Sequence, residues 1–197
     1  MRLGFYLRRP TAVLNRVWRA WHDRRHPGAP WLSPVALRIL DERLDRSMTG
    51  LEWGSGKSTV WFAQRLAYLT SVEHDPAWHA RVTGLLREAG VTNVEQRLAP
   101  APPRGVTEQQ YWAPSPYVLV ADDFAPGSLG VVLVDGLYRQ NCVARVLGKI
   151  SPGGYLVIDN SRAVPRLQDW GVPEDWELVH HSRRRFQDTT IWRRPPV

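Results

Sequence analysis

Ten consecutive residues carry the densest chemistry in the chain: Gly50-Leu51-Glu52-Trp53-Gly54-Ser55-Gly56-Lys57-Ser58-Thr59. Glycines at 54 and 56 permit a sharp turn and leave room for a ligand against the main chain. A helix starting near Lys57 aims its unpaired amides at whatever occupies that turn. Ser58 and Thr59 either touch the ligand through their hydroxyls or cap the helix. Three more positions stand out because each closes an apolar run: Glu73 with His74, Asp135, and Asp159 with Asn160.

Three ligands compete for the glycine turn. A phosphate loop of the form G-x-x-x-x-G-K-[ST] requires glycine five residues before Gly56, and Leu51 stands there. Gly50 falls one residue too early, and Asp45–Thr49 before it does not read as a buried strand. A P-loop-like nucleotide-binding reading survives because Val131–Asp135 would serve as its second strand. A dinucleotide loop of the form G-x-G-x-x-G wants a third glycine where Thr59 stands. Glu52 would also oppose a pyrophosphate. A zwitterionic amino-acid group suits that carboxylate better.

The elements that must hold these residues alternate in type. Ser33 and Pro34 open a helix with Leu37, Leu40 and Leu44 on one face. Strands are expected at Met48–Trp53, Tyr68–Glu73, Val94–Leu98, Leu129–Asp135 and Tyr155–Asp159. Helices are expected at Lys57–Leu66, Pro76–Ala89 with Asp75 as its cap, and Asn141–Leu147. The near-continuous apolar run Leu129–Val134 predicts burial on both faces. A Pro- and Ala-rich stretch, residues 99–116, is long for a connector and would serve as a lid, with Tyr111 and Trp112 closing over a substrate. Trp176–His180 and Thr189–Trp192 pair as a terminal hairpin. Alternating units of this kind predict an α/β fold, a three-layer αβα sandwich on a mostly parallel sheet with a C-terminal antiparallel hairpin.

With that order in view, Glu52-x-Gly54-x-Gly56 resembles motif I of the class I S-adenosylmethionine-dependent methyltransferases, whose fold is Rossmann-like. Val72-Glu73-His74-Asp75 stands where that family places its ribose-binding acid. Val132–Gly136 and Pro152–Asn160 look like its fourth and fifth strands. The resemblance covers residues 31–197. It implies S-adenosylmethionine as cofactor, held by Glu52, Trp53, Gly54, Ser55, Gly56, Ser58 and Thr59 at the methionine end. Glu73 would bind the ribose, His74 would lie near the adenine, and Asp135 would also face the cofactor. Asp135, Asp159 and Asn160 resemble the magnesium ligands of catechol-type O-methyltransferases. Oxygen ligands suit that ion. The resemblance thus implies methyl transfer to a small-molecule or saccharide acceptor at oxygen, with Asp135, Asp159 and Arg139 on the catalytic side. Without a metal, one carboxylate of the cleft would act as a general base. A catalytically silent Rossmann-like binding module is the non-enzyme alternative.

Bulk composition narrows the partners. The chain has 197 residues, 43% hydrophobic and 23% charged, which suits one domain of ordinary globular character. Its net charge of +7 is concentrated at the ends: residues 1–30 carry +6 and residues 182–197 carry +4, leaving the body at −3. A basic stripe with interleaved aromatics across the body, as nucleic acid would require, is absent, so no nucleic-acid partner is expected. Residues 1–30 read as an appendage ending in the turn-rich linker His26–Pro30. Val13, Leu14, Val17, Trp18 and Trp21 form an apolar stripe at helical spacing within it. Residues 11–25 would therefore lie on an anionic membrane surface or pack against protein, including a second copy. Cys142 has no partner for a disulfide, and no apolar run spans a bilayer, so a cytoplasmic setting is expected.

Overall fold

The computed structural model describes residues 28–99, 115–182 and 188–196. The expected amphipathic stretch 11–25, most of the 99–116 connector with Tyr111 and Trp112, and Arg183–Arg185 lie outside the described residues.

Helix α1 spans Pro34–Arg43, and the Ser33 hydroxyl caps it by accepting from the Ala36 N–H at 3.1 Å. Strand β1 (Thr49–Trp53) leads through the glycine turn into α2 (Lys57–Ala63). Strand β2 (Tyr68–Glu73) leads into α3 (Pro76–Glu88), where the Asp75 carboxylate accepts from the Ala77 and Trp78 amides. Strand β3 (Val94–Leu98), the short helix α4 (Pro116–Leu119) and β4 (Leu129–Val134) follow. Helix α5 (Arg139–Val146) then connects to β5 (Ile150–Asp159), and β6 (Glu177–His181) and β7 (Thr189–Arg193) complete the described elements.

Seven strands form one sheet in the order β3-β2-β1-β4-β5-β7-β6. All pairings are parallel except those of β7, which runs antiparallel to both β5 and β6. Chain progression reverses between β1 and β4: one half winds outward through β2 and β3, the other through β5. Ligands of open α/β sheets bind in the crevice at the carboxyl edge of such a reversal.

Side-chain alternation divides the core between the two faces. Leu51, Trp53, Val132, Val134, Leu156 and Ile158 pack on one side with Cys142, Val143 and Val146 of α5. Val131, Leu133, Tyr155 and Val157 pack on the other with Leu40 of α1 and Phe62 of α2. Every residue of β4 is buried, as its apolar run predicts.

Two boundaries differ from the sequence expectation by three residues or more. Helix α2 stops at Ala63 instead of Leu66, because the Asn93 amide donates to the carbonyls of Ala63 and Leu66 at 2.9 and 3.0 Å and ends the helical ladder. Strand β5 starts at Ile150 instead of Tyr155. It runs through Gly153 at φ +77°, and its pairing with β4 shifts register between Leu129 and Val131. Among the described residues, no helix is long and apolar enough to cross a membrane.

Candidate cofactor and acceptor site

The glycine turn closes on the neighbouring strand. Gly54 sits at φ +95°, and a side chain there would place Cβ 2.9 Å from the backbone of Asp135 and Gly136. The Gly54 N–H donates to Val72 O and the Asp135 N–H to Trp53 O, both at 2.9 Å, so the ends of β1, β2 and β4 are tied together. The Trp53 side chain turns away from the loop into the core, where its indole N–H donates to the Tyr117 carbonyl at 2.8 Å. Trp53 therefore borders the turn with its backbone.

Beneath the turn lies Glu52, fully buried. Its Oε2 accepts from the Thr59 and Ser71 hydroxyls, each at 2.6 Å. Thr59 in turn accepts from the Gly56 N–H at 2.8 Å, which couples the glycine turn directly to the carboxylate. Each hydroxyl has one proton. Ser71 spends its own on Glu52, so the Ser55 hydroxyl must donate to Ser71 across their 2.7 Å contact. The second oxygen, Oε1, is buried without an aligned hydrogen bond, with the Ser58 hydroxyl close to the carboxylate. Burial pushes this carboxyl up to about 7; the Ser58, Ser71 and Thr59 hydroxyls oppose the rise and the Asp135 charge adds to it.

Glu73 ends β2 almost fully buried. Its Oε1 accepts from the His74 and Asp75 amides at 2.7 and 2.9 Å, fixing the carboxylate in the turn that starts α3. His74 Nδ1 lies 2.8 Å from the same oxygen, without hydrogen-bond alignment. One turn into α3, the Trp78 indole donates to the Ser55 carbonyl at 2.7 Å and straps the glycine turn to that helix. Sequence spacing gave no sign of this contact, since Trp78 reads as an ordinary helix residue.

Arg139, expected on the catalytic side, opens α5 beside the ends of β4 and β5. Its guanidinium donates to the Gly136 and Asp135 carbonyls, to Asp135 Oδ1 at 3.0 Å and to the Asp159 carbonyl, and lies 3.5 Å from Asn160 Oδ1. Turned onto these backbone oxygens, Arg139 staples the ends of β4 and β5 and is not presented to an anionic acceptor. The guanidinium meets one carboxylate of this set, that of Asp135, and reaches Asp159 through its backbone carbonyl. Arg139 thus links the three residues that the sequence reading offered to a metal. Asn160 itself sits in the left-handed region at φ +50° and turns the chain out of β5.

Asp159 remains chemically distinctive. Burial, and then the Asp135 charge, raise its carboxyl to about 7, against the lowering effect of the Thr189 hydroxyl and Arg139. Thr189 donates to Asp159 Oδ1 at 3.0 Å and itself accepts from the Ser33 amide. Alternation puts Asp159 on the same sheet face as Tyr155 and Val157. Cys142 is buried in the core, as its helical placement suggested.

No protein-family model and no curated protein matches the chain. Solved structures do. A methyltransferase-like protein from Silicibacter pomeroyi superimposes with a TM-score of 0.60 at 23% identity, covering 86% of this chain and 90% of its own. The chain therefore shares the Rossmann-like α/β fold of that structure. Two further structures share that fold over most of their length. An rRNA methylase from Streptococcus thermophilus matches at 12% identity and TM-score 0.58, covering 82% of this chain and 95% of that one. A candidate methyltransferase from Streptococcus mutans, solved in complex with SAH, matches at 9% and 0.56, covering 81% and 94%. In the fold of this chain, Glu52, Glu73 and Asp135 all stand at the carboxyl edge beside the β1/β4 reversal.

Proposed function

We propose that the chain is an S-adenosylmethionine-dependent methyltransferase, with its cofactor across the carboxyl ends of β1, β2 and β4. The observation that carries this reading is Glu52 Oε1. A buried carboxylate oxygen without an aligned hydrogen bond is costly and rare, and a ligand ammonium would satisfy it. A phosphate in the same turn would instead meet a buried acid, which speaks against the P-loop-like alternative.

The residues present fit the cofactor piece by piece. Glu52 and the Gly54–Gly56 backbone take the amino-acid end, with Ser58 beside them and Thr59 fastening the turn to Glu52. Glu73, one oxygen fixed by backbone amides, presents its other oxygen to a ribose diol, and His74 borders the base. Asp135 lies between the two halves. When bound, the cofactor supplies a methyl group already activated as a sulfonium. The protein's share is alignment and, for a hydroxyl acceptor, removal of a proton. We assign that proton to Asp159, because a general base works best when its pKa lies near the working pH. The acceptor in this reading is a small molecule or saccharide methylated at oxygen.

Calorimetric titration with S-adenosylmethionine, SAH, ATP and NAD tests the cofactor half. Micromolar binding of the first two, roughly −8 kcal/mol, with none of the others, is the expected result. Equal or tighter ATP binding would restore the nucleotide reading. Cofactor binding without turnover on any acceptor would leave a silent binding module. Methylation of an RNA fragment in preference to small hydroxyl acceptors would replace the acceptor half and keep the cofactor half; the fold shared with an rRNA methylase makes that arm worth running.

A further inference from the structure

Among the described residues, four buried side-chain polar atoms lack an aligned hydrogen bond: Glu52 Oε1, His74 Nδ1, His79 Nε2 and the Tyr117 hydroxyl. Glu52 and His74 belong to the site already described. Tyr117 does not, yet it points to the same place. Its ring is fully buried in α4, its hydroxyl reaches Gly136 after β4, and a Cβ on Gly136 would lie 1.8 Å from that oxygen. Glycine at 136 is what admits the phenol. The His74 ring meets the Tyr117 ring edge-on at 6.1 Å, and Tyr138 flanks it at 6.4 Å. Tyr138 is one of two non-glycine residues at positive φ among the described residues, a strained conformation of the kind found at ligand sites.

Resting on the cofactor reading above, we propose that the Tyr117 hydroxyl is a specificity-determining contact to the nucleoside half of the cofactor. The phenol stands between the β2 end, where Glu73 and His74 lie, and the β4 end at Gly136. Its proton is held firmly: burial raises the phenol's pKa, nearby Cys142, Glu73 and Asp135 raise it further, and the Leu137 backbone, near the hydroxyl but not aligned as a hydrogen bond, opposes them. The hydroxyl is therefore a neutral donor and acceptor at any working pH. A nucleoside offers complementary groups in its ring nitrogens, exocyclic amine and ribose hydroxyls. Because the oxygen is closed off from water here, ligand entry has to part the ring from its neighbours at Gly136.

The test is Tyr117→Phe, which keeps the ring and removes one oxygen. Thermal melting of the free protein is compared with calorimetric affinity for SAH and for adenosine. A phenol serving the ligand gives effects of opposite sign: the free protein melts at the same or a higher temperature, because an unpaired buried hydroxyl has gone. Both probes meanwhile bind roughly fivefold to tenfold more weakly, by a common factor. Unchanged affinities overturn the assignment. A lower melting temperature overturns it as well, since the hydroxyl would then be part of the fold's own bonding. Weaker SAH with unchanged adenosine would move the contact to the amino-acid half and overturn the nucleoside claim. Wild-type protein that binds neither probe overturns the cofactor reading, and this assignment with it.

Discussion

Burial pushes the Glu52 carboxyl from 4.5 to about 7, so between those values the folded chain keeps a proton that the unfolded chain has released. Stability from this group therefore falls as pH rises through that window, by something on the order of 3 kcal/mol at its limit. Glu52→Gln removes the titration. The variant is expected to melt higher than wild type at pH 8, to converge with it near pH 4.5, and to bind SAH at least tenfold more weakly. Asp159 titrates in the same range, so the difference between the two proteins isolates Glu52, and parallel melting curves across pH would refute the account. For Asp159 itself the readout is turnover. Wild-type kcat/KM should climb through about pH 7 as the base ionises, while Asp159→Asn loses that limb and drops about 10²–10⁴-fold, with SAH affinity nearly constant. Glu52 was legible in the sequence because strand, glycine turn and acid stand in one short run. The inward turn of Trp53 and the backward turn of Arg139 were not, since spacing fixes where a side chain starts and not which way it points. Tyr117 was invisible for another reason: its partners Gly136 and His74 are remote in the chain.

Between residues and fold stand the strand ends, and their spacing is set by a few cross-strand ties. Arg139 is the main one on the acceptor side, reaching backbone oxygens of both β4 and β5. Its planar fork serves several acceptors at once, which an ammonium does not reproduce. Arg139→Lys and Arg139→Ala are both expected to raise the acceptor KM and lower kcat while shifting SAH affinity less than about threefold, under roughly 0.7 kcal/mol. A variant with normal acceptor kinetics would show that the β4 and β5 ends hold their spacing unaided. The bounds of β2 and β3 match the sequence expectation. Those of α2 and β5 do not. Asn93 ends the first from the far side of β2, and a bulge against β4 lets the second begin early. Each depends on a contact between segments remote in sequence.

At the scale of the molecule, the alternating pattern was enough to anticipate the layers and the antiparallel end, though not that β7 would lie inside β6. The body from Leu32 onward builds its own core, with Leu32, Ala36 and Leu40 packed on α2 and the sheet. Deleting residues 1–28 should leave a protein that melts cooperatively within a few degrees of the full chain and binds SAH equally well. Insolubility or a large drop in melting temperature would mean that the stripe Val13–Trp21 buries against the body or a second copy. Loss of liposome association alone would identify it as a membrane contact. The sheet order also carries a consequence for how the chain is made. Strand β6 emerges from the ribosome before β7, yet its partner in the sheet is β7, which separates it from β5. Five strands can assemble as they appear, whereas β6 must wait, its amides and carbonyls unpaired, until Arg193 has cleared the exit tunnel. The emergence of β7 thus decides whether β6 joins the sheet or stays unpaired and open to another nascent chain.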